Sequence, residues 1–128
     1  MTDETILLRQ VNPAFVQGDR ISSQVFRPTP KDENLLSVYD GDQIGPGAAW
    51  EHFTGTLGFA SDGVVGVTVG ECVALALPAR PDPAPFREHA VIDFSGFARG
   101  EIEKHAKRLR AHATTRGWLY RRGDAREE

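Results

Sequence analysis

Cysteine is nearly absent from this sequence, since its 128 residues contain only Cys72. A single cysteine forms no internal disulfide and excludes metal sites built on several cysteines. Long apolar runs are also lacking, and the longest, at 64–69 and 72–77, are far too short to span a bilayer. We find no basic segment followed by an apolar run that would mark a signal peptide. The sequence therefore predicts a soluble, cytoplasmic protein that does not bind membranes.

Lysine is scarce as well, with three Lys against twelve Arg. Together with the abundant Gly and Ala, this bias is typical of a GC-rich bacterial genome, so we expect a bacterial protein. Hydrophobic residues make up 40% of the chain and charged residues 26%, which is enough to build a buried core. The length suits one domain over residues 1–128, and we expect frayed tails at 1–4 and 123–128.

Strand patterns are the commonest periodic feature of the chain. Alternating or β-branched residues predict strands at 5–11, 21–27, 35–39, 64–69 and 89–94. The second and third of these are joined by a polar, proline-containing turn, so we expect them to form a hairpin. The sequence therefore predicts a small, mainly antiparallel sheet of four or five strands.

Helical spacing appears in two places and is ambiguous in a third. Trp50, Phe53 and Leu57 recur at helical intervals and predict a short central helix at 47–57. Residues 70–77 fit either a strand or a short helix, and their Ala and Leu content favours the helix.

The longest helical pattern is at the C-terminal end of the chain, over about 97–116. It is amphipathic, and its narrow apolar stripe consists of Ala98, Ile102, Ala106, Leu109 and Ala113. A sheet combined with a short central helix and this long C-terminal helix predicts the α+β fold class.

Charge is distributed unevenly along the chain. Residues 1–98 hold 13 acidic and six basic side chains, whereas residues 99–122 hold eight basic and two acidic ones. Arginines flanking aromatic residues are typical of binding hot spots. We therefore predict an accessory protein that binds an acidic protein partner through Lys104, Lys107, Arg108, Arg110, Arg116, Trp118, Tyr120, Arg121 and Arg122. Nucleic acid is a less favoured partner. A third interpretation needs no partner: the basic residues form a solvated surface whose charge balances the acidic residues 1–98.

Catalysis is the alternative to a binding role. Arg9 lies in the first predicted strand, Ser22 and Ser23 begin the second, and Glu71 follows the most strongly predicted strand. This order resembles the layout of arginine-type ADP-ribosyltransferases. The resemblance implies NAD as cofactor, with the arginine and serines holding the dinucleotide and the glutamate assisting transfer.

Metal-binding patterns are weak. His105 and His112 are seven residues apart, which is wider than the usual helical metal pair. His89 and Asp93 are separated by ~13 Å if both lie on one strand. We therefore predict no metal site and, outside the NAD-dependent alternative, no cofactor. Without an organised catalytic set, a binding role is favoured over an enzyme.

Overall fold

Alternating apolar residues in the N-terminal half and a long helical repeat near the end build an α+β fold, described for residues 1–123 by a computed structural model. The strands are β1 (Ile6–Gln10), β2 (Val16–Gln17), β3 (Arg20–Ile21), β4 (Leu35–Asp40), β5 (Gly63–Thr68), β6 (Ala79–Pro81), β7 (His89–Asp93) and β8 (Tyr120–Arg121). The α-helices are α1 (Pro46–Glu51), α2 (Val69–Ala74) and α3 (Arg99–Arg116). Single 3₁₀ turns cover Pro13–Phe15, Ser23–Phe26 and Pro30–Asp32, and His52–Thr56 forms a π-helical segment. None of the helices in this part of the chain has the length and apolar character needed to cross a membrane.

The main sheet has six antiparallel strands in the order β6-β7-β4-β1-β5-β8. β5 pairs with β1 over five residues, and β7 pairs with β4 over five residues. β1 and β4 are paired only at Leu7–Asp40 and Leu8–Tyr39. The middle of the sheet therefore has a short ladder next to two long ones, and the candidate site lies beside this short ladder.

Helices cover both faces of the sheet. Because neighbouring strand residues point to opposite faces, Leu7 packs in a large core with α3, and Leu8 packs in a smaller cluster with Trp50 and Phe53. The α3 stripe buries Ile102, Ala106, Leu109 and Ala113, as the sequence predicts. Ala98 is instead the exposed N-cap residue of α3, so the predicted stripe is one turn too long at its start.

Two predictions about residues 21–39 need correction. The strand predicted at 21–27 is wrong, because Ser23–Phe26 is a 3₁₀ turn capped by the Ser22 hydroxyl. This turn buries the consecutive residues Val25 and Phe26, which a half-exposed strand would not do. The predicted hairpin is therefore wrong too, and β4 pairs with β1 and β7.

The number of strands and the form of the central helix also differ from the prediction. The main sheet has six strands instead of four or five, and the additional edge strands β6 and β8 have only three and two residues. The predicted central helix splits into α1 and the π-helical segment. The helix predicted at 70–77 is confirmed up to Ala74, as α2, which begins with a capping box formed by Thr68 and Glu71.

The predicted tails lie at the limits of the described residues. Near the start, the Asp3 carbonyl accepts a hydrogen bond from the Gly70 amide at 2.8 Å, and Thr5 is buried. This contact joins the first turn of the chain to the start of α2. Residues 124–128, most of the predicted C-terminal tail, lie outside the described residues.

Candidate functional site

An aromatic pocket opens on the sheet face that lies opposite α3. Its volume is about 270 Å³, equal to the liquid volume of about nine water molecules. β1 supplies Leu8 to its lining, β4 supplies Ser37 and Tyr39, and β7 supplies His89. The segment after α1 and the loop before β7 form the walls. We refer to this cavity as the aromatic pocket.

Aromatic side chains dominate the walls of the pocket. Phe53 and Phe59 have ring centroids 5.2 Å apart on one side, and Tyr39 and Phe86 have centroids 5.1 Å apart on the other. Phe59 is 58% exposed and Leu57 is 39% exposed, so the rim presents apolar surface to solvent. Exposed apolar side chains at a concave surface are a common mark of a ligand site.

The π-helical segment builds the first of these walls. The Thr54 hydroxyl donates to the Trp50 carbonyl at 2.8 Å, and the Leu57 amide donates to the His52 carbonyl five residues earlier. A side-chain hydrogen bond of this kind competes with the α-helical ladder and favours a wider turn. The widened turn includes Phe53 and ends just before Leu57, and both side chains line the aromatic pocket.

Arg9 occupies the place where β1 and β4 stop pairing. Its Nε donates to the Val25 carbonyl at 2.7 Å, and its Nη1 donates to the Ser37 carbonyl at 2.8 Å. Burial lowers the pKa of Arg9 to about 10, so the guanidinium remains cationic at neutral pH. No carboxylate pairs with it among residues 1–123, and Nη2 has no hydrogen-bond partner there. Arg9 therefore brings an uncompensated positive charge and free donor capacity to the pocket lining.

Gln10 adds a second unused donor at the same place. Its side chain is 8% exposed, and its Oε1 lies 2.7 Å from the Ser61 hydroxyl. Its Nε2 is buried without a hydrogen-bond partner among the described residues. A buried amide nitrogen without a partner costs free energy, so an acceptor placed beside it would stabilise the domain. Gln10 lines the pocket together with Arg9.

Ser37, His89 and Asp82 form a connected set at the β4–β7 side of the pocket. His89 is buried, and its Nε2 lies 3.0 Å from the exposed Ser37 Oγ. The other ring nitrogen, Nδ1, lies 2.8 Å from the Asp82 carbonyl oxygen and 3.4 Å from Asp82 Oδ2. Because a carbonyl only accepts, Nδ1 carries a proton, and in the neutral form of the ring Nε2 is the nitrogen that accepts from the Ser37 hydroxyl.

A second polar contact borders the aromatic wall. The Tyr39 hydroxyl lies 2.8 Å from His52 Nδ1, and Phe86 packs against both rings. Burial, together with the negative charge of Glu88, raises the pKa of Tyr39 to about 12. The phenol therefore stays protonated at neutral pH and adds no negative charge beside Arg9.

Two larger depressions lie near α3. One measures about 450 Å³ and contains the ion pair between Arg27 and Glu103, and the other measures about 530 Å³ and contains Arg110. Arg110 donates to the Ile21 carbonyl at 2.8 Å. Arg27 and Arg110 in these depressions are engaged by the protein, and neither depression has the aromatic walls of the aromatic pocket.

The residues of the predicted NAD-dependent set have separate partners. Arg9 lines the aromatic pocket, and Ser22 caps the 3₁₀ turn that begins at Ser23. Glu71 caps α2 and accepts two hydrogen bonds from Arg116, at 3.1 and 2.9 Å. Within residues 1–123, no hydrogen bond or ion pair joins Arg9 to Glu71.

The Glu71 contacts also determine its ionisation. Burial by itself raises the pKa of Glu71, but the hydrogen bonds from Arg116 and the Thr68 backbone, with the charges of Arg116 and His112, outweigh it. Its pKa therefore lies below the usual range. A carboxylate held in this way connects α2 to α3 and stays charged at neutral pH. Cys72, next to it, is buried, and burial with the nearby Glu71 charge raises the pKa of its thiol to about 12.

The predicted partner-binding residues divide into two groups. Arg116 binds Glu71, Arg121 binds Asp19, and Arg122 lies 3.4 Å from Asp62. Arg121 also stacks 4.2 Å from the ring of half-buried Trp118, and Tyr120 packs on Trp50 with ring centroids 5.4 Å apart. The residues left exposed with no charged partner in this part of the chain are Lys104, Lys107 and Arg108.

Sequence reasoning missed most of the aromatic pocket. Gln10, Ser37, Asp82, Phe59 and Phe86 were not singled out, Phe53 was used only to predict a helix, and His89 was considered only as a metal ligand with Asp93. Asp93 instead binds Arg80 and Ser95. Within the part of the chain that the structure describes, no three His, Cys, Asp or Glu side chains are grouped to hold a metal ion.

No family model matches the chain, and comparison with curated proteins and with solved structures finds no match.

Proposed function

We propose that this protein binds a small amphipathic carboxylate in the aromatic pocket, with an aromatic or short apolar body and one acidic group. The observation that carries this proposal is that two residues lining an apolar cavity each have a donor without a hydrogen-bond partner among residues 1–123, Arg9 Nη2 and the buried Gln10 Nε2. A guanidinium and an amide nitrogen match the two oxygens of a carboxylate. The ligand's acid would satisfy both donors, and the rings of the wall would cover its apolar body.

Charge supports an anion over a cation or a neutral ligand. Among residues 1–123, the lining contains no Asp or Glu, and Arg9 is its one permanently charged residue. Desolvation of the half-buried Arg9 without a counter-ion costs stability, and an anionic ligand would supply a counter-charge. The volume of about 270 Å³ favours a single ring or a short chain over a nucleotide.

Four probes test the proposal: phenylacetate, the neutral phenylacetamide, the cationic phenethylamine, and acetate, which has no ring. We expect phenylacetate to bind most tightly and to shift the backbone amide resonances of β1, β4 and the π-helical segment in ¹H–¹⁵N NMR spectra. Phenylacetamide should bind at least about tenfold more weakly, because a hydrogen bond to a charged group contributes ~1.5–3 kcal/mol. Equal binding of phenethylamine, or shifts confined to other surfaces, would contradict the assignment.

A second candidate function is supported by the exposed cations Lys104, Lys107 and Arg108 on α3. These three residues have no carboxylate partner among residues 1–123, so they offer a basic face to an acidic protein. Arg110, Arg116, Arg121 and Arg122 already have contacts within the domain. The candidate surface is therefore narrower than the predicted one.

Reversing Lys104, Lys107 and Arg108 to Glu tests this second candidate. We expect the triple variant to melt within about 2 °C of the parent, because isolated surface charges contribute little to stability. It should lose salt-sensitive retention on a polyglutamate column, which serves as a model acidic chain. The matched control is the reversal of Arg20, Arg80 and Arg87, which are exposed elsewhere. Equal loss of retention in both variants would mean that overall charge, and not this face, is responsible.

A further inference from the structure

Ser37, His89 and Asp82 have the mutual arrangement of a nucleophile, a base and an orienting group. Ser37 Oγ lies 3.0 Å from His89 Nε2, and His89 Nδ1 lies 2.8 Å from the Asp82 carbonyl and 3.4 Å from its carboxylate. The serine is exposed and the histidine is buried, so one side of the serine hydroxyl is open to a ligand. A nucleophile within hydrogen-bond distance of a base that a third group orients is the arrangement that activates a hydroxyl.

The fold gives reasons for this arrangement beyond the distances. Tyr39 of β4 pairs with His89 of β7, so Ser37 and His89 are diagonal neighbours on one face of the sheet. The Asp82 amide donates to the His89 carbonyl at 2.9 Å, which fixes the loop after β6 against the start of β7. The Phe86 ring packs edge-on to the imidazole, with centroids 5.2 Å apart. The histidine is therefore held in one orientation from three sides.

The residues that carry the unused donors line the same cavity as Ser37 and His89. Ser37 and His89 line the aromatic pocket together with Arg9 and Gln10. Arg9 Nη1 donates to the Ser37 carbonyl, so the guanidinium is fixed beside the serine backbone. Donors that are oriented before a reaction and placed where negative charge develops are the main electrostatic contribution to acyl transfer.

We infer that Ser37 is the nucleophile of an esterase site that hydrolyses small esters of aromatic carboxylic acids, with His89 as the base and Asp82 as a positioning residue. This inference rests on the proposed function, because the acid released by such an ester is the carboxylate proposed to bind Arg9 and Gln10. The carboxylate product would occupy the same pocket that Ser37 lines, so binding and hydrolysis would take place at one site.

The reaction balances with water as the only co-reactant. Ser37 Oγ forms a bond to the ester carbonyl carbon while its proton passes to His89 Nε2. The carbonyl oxygen becomes negatively charged and accepts hydrogen bonds from Arg9 and Gln10. The carbon–oxygen bond to the alcohol then breaks, and the alcohol leaves with the proton from His89. Water gives a proton to His89 and attacks the acyl-serine, and the carboxylic acid leaves as Ser37 regains its proton.

Hydrolysis of 4-nitrophenyl phenylacetate by the full chain tests the inference. We expect Ser37→Ala to lower kcat/KM by about a hundredfold or more, as loss of a nucleophile does in sites of this kind. The matched control is Ser95→Ala, because Ser95 is also exposed but contacts Asp93 instead of a histidine. This control should hydrolyse the ester at the parental rate. Hydrolysis by the parent that is no faster than hydrolysis by Ser37→Ala would overturn the inference.

Covalent labelling gives a readout that does not depend on turnover. Phenylmethanesulfonyl fluoride should add one sulfonyl group to Ser37 Oγ with release of fluoride, and intact mass spectrometry should detect one adduct on the parent and on Ser95→Ala. Ser37→Ala should carry no adduct. An adduct on another residue, or equal labelling of all three proteins, would contradict the assignment of Ser37.

The role of Asp82 has its own test. Asp82→Asn keeps the backbone carbonyl that binds His89 and removes only the carboxylate charge. We expect it to lower kcat severalfold while KM stays the same, because the imidazolium formed during the reaction loses a counter-charge. A change in melting temperature with kcat unchanged would assign Asp82 a purely structural role and remove it from the site.

The two proposals on this pocket fail in different ways. Phenylacetate that binds the parent, without ester hydrolysis or serine labelling, supports the carboxylate site and overturns the esterase. Hydrolysis and labelling that depend on Ser37, without measurable phenylacetate binding, support the esterase and overturn the carboxylate site. Absence of both results overturns both proposals.

Discussion

Arg9→Gln should weaken phenylacetate binding about fiftyfold, which corresponds to ~2.3 kcal/mol. The guanidinium is the one permanent positive charge in the lining of the aromatic pocket, and its Nη2 has no partner among the described residues. Glutamine keeps a polar side chain at this position but loses both the positive charge and the Nη2 donor proposed to bind the carboxylate. Isothermal titration calorimetry of parent and variant measures the difference directly.

Two further variants separate recognition from folding. Arg9 also donates to the Val25 and Ser37 carbonyls, so its replacement is expected to destabilise the domain to some extent. Phe59→Ala changes a side chain that is 58% exposed, so it should leave the melting temperature nearly unchanged and still weaken phenylacetate binding severalfold. Arg108→Gln, on the exposed face of α3, is the charge-matched control. Binding that falls equally in Arg9→Gln and Arg108→Gln would show a general charge effect in place of a site.

The elements that sequence reasoning predicted well are those whose signals are local. β5 is a run of β-branched residues, and α3 repeats small and apolar residues at steps of three and four. α2 was favoured on helix propensity, and the structure adds the reason, since Thr68 and Glu71 satisfy each other's backbone amides in a capping box. Each of these signals is complete within one element, so no knowledge of the rest of the fold is needed.

The elements that were wrong or missed depend on tertiary contacts. Residues 21–27 alternate in sequence, but Val25 and Phe26 are both fully covered by neighbours that the local pattern does not reveal. β6 and β8 are too short for a period to be detected, and each exists because it pairs with a long neighbouring strand. The π-helical segment gains one residue per turn through the Thr54 hydroxyl bond, which a 3.6-residue template does not include.

In the candidate site, too, the residue with a local sequence signal was predicted, and the residues that depend on tertiary contacts were missed. Arg9 was selected from the sequence, but its proposed catalytic companions, Ser22 and Glu71, have structural partners elsewhere. Ser37 and His89 are 52 residues apart in sequence, and only the β4–β7 register brings them within hydrogen-bond distance. The unused donor of Gln10 becomes visible only after every neighbouring acceptor has been located. A site assembled from three strands and two loops therefore has no local signature.

Gly63→Ala should lower the free energy of unfolding by about 3 kcal/mol, with a fall in melting temperature of about 10 °C or more. A Cβ atom at position 63 would lie 2.4 Å from the Tyr120 carbonyl oxygen and 2.9 Å from the Trp118 ring. The Tyr120 carbonyl belongs to the backbone of β8, which pairs with β5. The collision therefore cannot be relieved by rotating a flexible side chain. The variant must displace β8, and with it the packing of Trp118 on the core.

Gly100→Ala is the matched control, because the same atoms are added where nothing lies within 4 Å. Gly100 is in the first turn of α3, and alanine there should raise stability by about 0.5 kcal/mol, since glycine loses more backbone entropy in a helix. Urea unfolding followed by tryptophan fluorescence measures both variants and also reports on Trp118. If Gly63→Ala unfolds at the same urea concentration as Gly100→Ala, β8 does not pack against Gly63 at the edge of the sheet. Arg121 and Arg122 would then not be held where they contact Asp19 and Asp62.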